Sequence, residues 1–128
     1  MSEPIWLETE ELVDMHAELI ALFGGPPGIR DLGLVRAAVD RQVARWRSRA
    51  TDGAGLAAGY ACDLAHGRAF VDGNKRIAFQ AMMVFLRLND LPIAPKQPEA
   101  TAMMLAIEAG EVSERGLARW IRDHRRKG

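Results

Sequence analysis

Arg68-Ala69-Phe70-Val71-Asp72-Gly73-Asn74-Lys75-Arg76 runs without a break into Ile77-Ala78-Phe79-Gln80-Ala81-Met82-Met83-Val84-Phe85-Leu86-Arg87-Leu88. A polar, glycine-containing loop thus feeds the most apolar segment of the chain. In that segment Ile77, Ala78, Ala81, Met82, Val84, Phe85 and Leu88 recur at steps of three and four, the period of a helix and not the two-residue alternation of a strand. A helix over 74–88 that is apolar nearly all round predicts the central, buried element of an all-α fold.

The same period governs the flanks. Upstream, Thr9 is read as the cap of a helix running to about Phe23, with Leu12, Met15, His16, Leu19, Ile20 and Phe23 on one face. Gly24, Gly25, Pro26, Pro27 and Gly28 stop it, and Asp31 starts a second helix toward Trp46, with Arg36, Arg41, Arg45, Arg47 and Arg49 outward as a solvated face. An alanine-rich third helix covers 56–66 and ends at Gly67. Downstream, Asn89-Asp90 and prolines 92, 95 and 98 read as a loop in which Ile93 and Ala94 allow a brief strand. A fifth helix spans 99–109 and closes at Gly110, and Ser113 caps a sixth that ends in a basic tail, Arg122 to Lys127. The expectation is one compact domain, 1–128, of about six helices.

Composition agrees with that scale. The 128 residues are 48% hydrophobic and 27% charged, values that exclude a disordered or collagen-like chain. Lys plus Arg (17) equals Asp plus Glu (17), so no global field draws the chain to nucleic acid or anionic lipid, and any anion site is local. Cys62 is the single cysteine, which rules out an internal disulfide and fits a reducing cytoplasm. No stretch approaches the roughly 20 apolar residues of a bilayer span, and no export signal is visible.

The 68–76 loop is where chemistry is expected. A helix N-terminus presents unpaired N–H groups and the positive end of a dipole, so a Gly73-Asn74-Lys75-Arg76 entry suits phosphate oxygens. Gly73 admits close approach, Lys75 adds a point charge and Arg76 a bidentate fork. Asp72 is placed to hold Mg2+ against the same phosphates. On the competing account Asp72 is an N-cap and Lys75 and Arg76 reach solvent. Phe70 anchors the loop in the core on either account.

This nonapeptide resembles the signature of the Fic/Doc family, His-x-Phe-x-Asp/Glu-Gly/Ala-Asn-Gly/Lys-Arg, with Phe70, Asp72, Gly73, Asn74, Lys75 and Arg76 at matching spacing. Gly24-Gly25-x-x-Gly28-Ile29-Arg30-Asp31 and Phe85-Leu86-x-Leu88-Asn89 are similar to the short death-on-curing (Doc) toxins, so the resemblance covers essentially the whole chain. It implies a helical fold that binds a nucleoside triphosphate such as ATP with Mg2+ and transfers part of it to a protein hydroxyl. Fic members mostly transfer the nucleotidyl group, whereas Doc toxins resemble kinases acting on a threonine of translation elongation factor Tu. Lys75, where nucleotidyl transferases usually carry glycine, and Phe79, where their second arginine would stand, lean toward Doc. The resemblance also implies a partner antitoxin whose otherwise disordered segment folds onto the toxin.

Counting back from Asn74, the position of the family's histidine is Arg68. That histidine takes a proton from the attacking hydroxyl, which a guanidinium, protonated at any pH near 7, cannot do. The chain is therefore expected to be a poor transferase. His66, two residues away, belongs to the end of the third helix, and a shift to reach it would pull Phe70 and Asp72 from their places. His16 and His124 read as a helix-face and a tail residue. The alternatives are Fic-type nucleotidyl transfer and a non-catalytic nucleotide- or partner-binding module in which Arg68 pairs with phosphates or an acidic partner. The arginines of the second helix and of the tail (Arg119, Arg122, Arg125, Arg126, Lys127) read as solvated, or as facing acidic patches of a partner protein, with no direct nucleic-acid role. Met82, Met83, Met103 and Met104 read as core filling or as part of a groove for an amphipathic helix.

Overall fold

A computed structural model describes residues 2–125. Arg126 and Lys127 of the basic tail lie outside the described residues. Six helices follow one another: α1 (Thr9–Phe23), α2 (Leu32–Arg47), α3 (Gly53–Gly67), α4 (Asn74–Leu88), α5 (Gln97–Ala109) and α6 (Glu114–Asp123). The fold is all-α. Its only extended pairings are two isolated antiparallel bridges among the described residues, Ile29 with Phe70 and Ile93 with Arg125, so Ile93 makes a single bridge and not a strand. No described helix is long and apolar enough to cross a membrane.

The caps explain most boundaries. Thr9 is not the cap of α1 but its first helical residue: Glu8 precedes it, and the Glu11 carboxylate accepts the Glu8 backbone N–H at 3.1 Å. Asp31 is the N-cap of α2, and Asp52 caps α3 by accepting the Gly55 N–H at 3.0 Å. Pro98 lies in the first turn of α5, where a missing N–H costs nothing, rather than in the preceding loop. Gly110 closes α5 in the left-handed conformation, and Ser113 caps α6 through Gly116.

The central helix is α3, not α4. Every residue of α3 from Gly53 to Cys62 is buried, and α2, α4, α5 and α6 all pack on it. The apolar count misled because burial on all sides depends on how closely neighbours approach, and small side chains allow the closest approach. A Cβ on Gly59 would overlap the Gln42 and Arg45 side chains of α2. In α4, Ile77, Ala78, Ala81, Met82, Phe85 and Leu86 are buried, while Lys75, Arg76 and Arg87 carry the chain to the surface.

Tyr60 of α3 anchors the N-terminal segment: its hydroxyl donates to the Leu7 carbonyl (3.1 Å), accepts the Leu7 N–H (3.2 Å) and its ring packs on Phe85. Burial holds the Tyr60 phenol in its neutral form well beyond the ordinary range. Two arginines of α2 are not solvated decoration. Arg41 joins Asp63 of α3 and Glu114 of α6 at 2.8 Å each, and Arg45 reaches Glu114 and the Gly55 carbonyl. Burial pushes Glu114 up, but the Arg41 hydrogen bond and both guanidinium charges leave it below the usual carboxylate range.

Candidate active site

The 68–73 loop is laid down by the glycine-rich segment that joins α1 to α2. The Ala69 carbonyl accepts the N–H groups of Arg30 (2.6 Å) and Asp31 (2.9 Å), and the Val71 N–H donates to the Gly28 carbonyl at 3.1 Å. Phe70 is buried between these strands of loop, as an anchor. Asn74 clamps it: its side-chain oxygen accepts the Phe70 N–H (3.1 Å) and its amide nitrogen donates to the Phe70 carbonyl (2.9 Å). Both ends of that amide are held by the loop, and the Asn74 backbone N–H is left at the helix start for an anion.

Gly73 is the N-cap of α4, with φ 77° and ψ 14°, a left-handed conformation that suits glycine. It starts the helix at the floor of a cleft of ≈ 310 Å³. Around the mouth stand Arg68, Asp72, Lys75, Arg76 and Glu108 of α5, three cations against two carboxylates. Lys75 Nζ lies 3.6 Å from Glu108 Oε1 in a partly exposed pair, and the Arg76 guanidinium sits over the Phe23 ring, 4.1 Å from its centroid. The Asp72 carboxylate occupies the space a side chain on Gly25 would need, with Oδ2 at 2.5 Å from where that Cβ would stand. The cleft therefore combines an amide-lined helix start, cations and two exposed carboxylates, of which Glu108 pairs with Lys75, a set that matches a polyphosphate carrying a divalent ion.

Arg68 is at the rim of this cleft, in the left-handed conformation (φ 53°, ψ 48°) that terminates α3, one residue beyond Gly67. A non-glycine residue there is uncommon. His66 is elsewhere: its Nε2 donates to the Ile107 carbonyl at 2.8 Å, and it faces the cleft lined by Leu34 and Cys62. Burial pushes the Cys62 thiol up to about 11, which leaves it an inert thiol and not a nucleophile.

Two residues that spacing did not mark belong to the site. His16 of α1 is buried, stacks on Phe70 with centroids 3.8 Å apart, and its Nε2 lies 2.7 Å from the Asp72 carbonyl. Its place on the apolar face of α1 was visible; its partner, 56 residues on, was not. Glu108 had no signal at all. His124, expected as a tail residue, bonds Glu99 at 2.8 Å and the Trp120 carbonyl, tying α6 to the start of α5.

A helical bundle with a phosphate-suited loop at the start of one long helix defines a class, and comparison with known proteins gives that class its family. The model of the Fic/DOC family matches residues 6–86. Over 117 residues, 91% of this chain and 92% of the other, the sequence is 32% identical to the protein kinase Doc of Escherichia phage P1. The chain belongs to the Fic/DOC family.

Proposed function

We propose that the chain is a Doc-like toxin of a toxin–antitoxin pair, acting in the cytoplasm, whose cleft binds a nucleoside triphosphate for phosphoryl transfer to a hydroxyl of a translation factor, elongation factor Tu by resemblance. The observation that carries this reading is the cleft itself, in a chain 32% identical to a protein named a kinase over nearly its full length. Phosphoryl transfer asks mainly for positioning and charge neutralisation. The N–H groups of Gly73, Asn74, Lys75 and Arg76 take phosphate oxygens, and Lys75 and Arg76 neutralise them. Asp72, an exposed hard oxygen donor lining the cleft, would hold Mg2+. When bound, that ion offsets charge on the phosphates.

Arg68 changes the outcome. It adds a fixed positive charge where the family places its base, so the cleft retains triphosphate affinity while the attacking hydroxyl keeps its proton. The chain is accordingly a disabled transferase. Restoring the base is the test. In bacteria lacking the antitoxin, Arg68→His arrests growth and adds one phosphate mass to elongation factor Tu, while the chain as it stands does neither; general-base catalysis sets the gain at about 10²–10⁴-fold. A nucleotide-sized adduct assigns nucleotidyl transfer instead, and no adduct from either form rejects the kinase reading in favour of a binding module.

One surface suits the antitoxin segment that this reading implies. Leu19 and Phe23 of α1, Phe79 of α4, and Ala100 and Met104 of α5 line an apolar groove of ≈ 230 Å³ beside Arg76. Leu22 and Phe23 are well exposed next to it. Such a groove suits the apolar face of a helix that folds on docking. Of the four methionines, Met82 is core, Met83 and Met103 pack against the core, and Met104 belongs to this groove.

A further inference from the structure

The geometry points to His16 as a positioning residue that turns the Gly73 amide into the cleft, an inference that rests on the reading of that cleft as a triphosphate site. A carbonyl oxygen only accepts, so the 2.7 Å contact with the Asp72 carbonyl places the proton of His16 on Nε2. The ring is itself fixed by its 13° stack on Phe70, whose backbone Asn74 clamps. The described chain has no cis peptide, and in a trans peptide the C=O and N–H point in opposite directions. With the Asp72 carbonyl drawn inward to His16, the N–H of the same peptide, that of Gly73, is turned away from the core. There it joins the N–H groups of Asn74, Lys75 and Arg76. None of these four donates to a protein acceptor among the described residues, as the first turn of a helix requires.

Glycine makes this orientation vulnerable. The peptide before a glycine flips with little steric penalty, and a flipped 72–73 peptide would point a carbonyl at the phosphates in place of a donor. Two features oppose the flip: the His16 hydrogen bond, and the packing behind Gly73, where a Cβ would stand 3.3 Å from His16 Nε2 and 3.2 Å from Ile20 Cδ1. His16 touches no substrate; it acts through one backbone amide.

The test is a titration of the full-length, 15N-labelled chain with Mg-ATP and with inorganic tripolyphosphate. In the unaltered protein the Gly73 amide resonance is among those that move most. His16→Leu keeps the apolar packing and loses the donor; its affinity for both ligands falls at least about tenfold, the scale of one lost hydrogen bond to a charged group, and its Gly73 resonance stays put. His16→Gln, whose side-chain N–H reaches the place of Nε2, restores binding to within about threefold. A purely structural role would instead make affinity follow thermal stability in both variants. Undiminished binding by a folded His16→Leu overturns the inference, and so does a Gly73 resonance that stays still in the unaltered protein while those of Lys75 and Arg76 move, a result that needs no variant to fold. If the unaltered chain binds neither ligand, the triphosphate reading falls and this inference with it; if it binds both and only the His16 results fail, that reading stands.

Discussion

Asp72 and Gly25 occupy one space. The carboxylate can rest where it does because residue 25 has no side chain, and φ 108° at that residue is itself a conformation that favours glycine. Gly25→Ala therefore has two effects that separate. The backbone strain costs roughly 1–2 kcal/mol of stability, and, on the proposal that Asp72 holds Mg2+ with a nucleotide, the displaced carboxylate is expected to weaken that binding. Gly28→Ala is the matching control: φ is 123°, but its Cβ would meet only Val71, at 3.4 Å. Thermal melts are expected to fall for both, whereas a Mg2+ titration in the presence of ATP shifts for Gly25→Ala alone; equal shifts would detach Asp72 from the ion. At this scale the sequence was informative wherever a residue's role is set by its neighbours in the chain. Gly73 and Phe70 were legible for that reason. His16, Gly25 and Glu108 were not, because each acquires its role from a contact that the folding of α1, of the α1–α2 segment and of α5 brings in from elsewhere.

Helix α3 shows the same limit for an element. Periodicity gave its existence and nearly its span, but hydrophobicity ranked α4 as the buried centre, since Met and Phe count for more than Ala and Gly on any transfer scale. Burial follows closeness of approach as well as apolar area, and an alanine–glycine helix gives neighbours on every side room to close in. Gly59 is where this is tightest. Gln42 is fully buried there, bonded through its amide nitrogen to the Ala38 carbonyl and Asp63, and through its oxygen to Arg45. A methyl at Gly59 strikes both Gln42 and Arg45. Helix propensity alone would favour Gly59→Ala by about 1 kcal/mol; the overlap reverses the sign, with a net loss of about 1–3 kcal/mol expected in a urea melt. Gly67→Ala, at the end of the same helix with only Leu34 Cβ near its own Cβ, at 4.0 Å, has no such overlap and is the matching control. A stabilised Gly59→Ala would mean that α2 yields without cost and that α3 owes its central place to something other than close approach.

Across the whole molecule, α6 is tied to the rest of the bundle by ion pairs as well as by its buried apolar face. Arg122 forks onto the Asp52 carboxylate at 2.7 and 3.0 Å, Glu114 receives Arg41 and Arg45, and His124 meets Glu99. The Arg122 hydrogen bond holds Asp52 below the usual carboxylate range, and the Glu99 hydrogen bond raises His124 above its ordinary value. These two shifts act at opposite ends of the pH scale. A depressed carboxylate stabilises the fold above its unfolded pKa of about 4 and loses that contribution as pH falls through its lower folded value. A raised histidine stabilises the fold below its unfolded pKa of about 6.5 and loses that contribution as pH rises through the folded value. Asp63 runs against Asp52: burial outweighs its Arg41 hydrogen bond and raises it, so part of the acid sensitivity is offset. Both pairs are exposed to solvent and screened, which limits the Asp52 pair to about 1 kcal/mol, or no more than about 4 °C in Tm. Comparing variants isolates each contribution. Arg122→Met melts below the unaltered chain at pH 6, and the two curves converge as pH falls through the lowered folded value of Asp52, below which it is protonated in both states. Glu99→Gln differs most near pH 6, below the unfolded value of the histidine, and its curve converges with that of the unaltered chain as pH rises through the raised folded value of His124 and the proton is lost. A gap that persists at both extremes would assign α6 to apolar packing through Leu117 and Ile121, both fully buried, with the ion pairs contributing nothing that titrates.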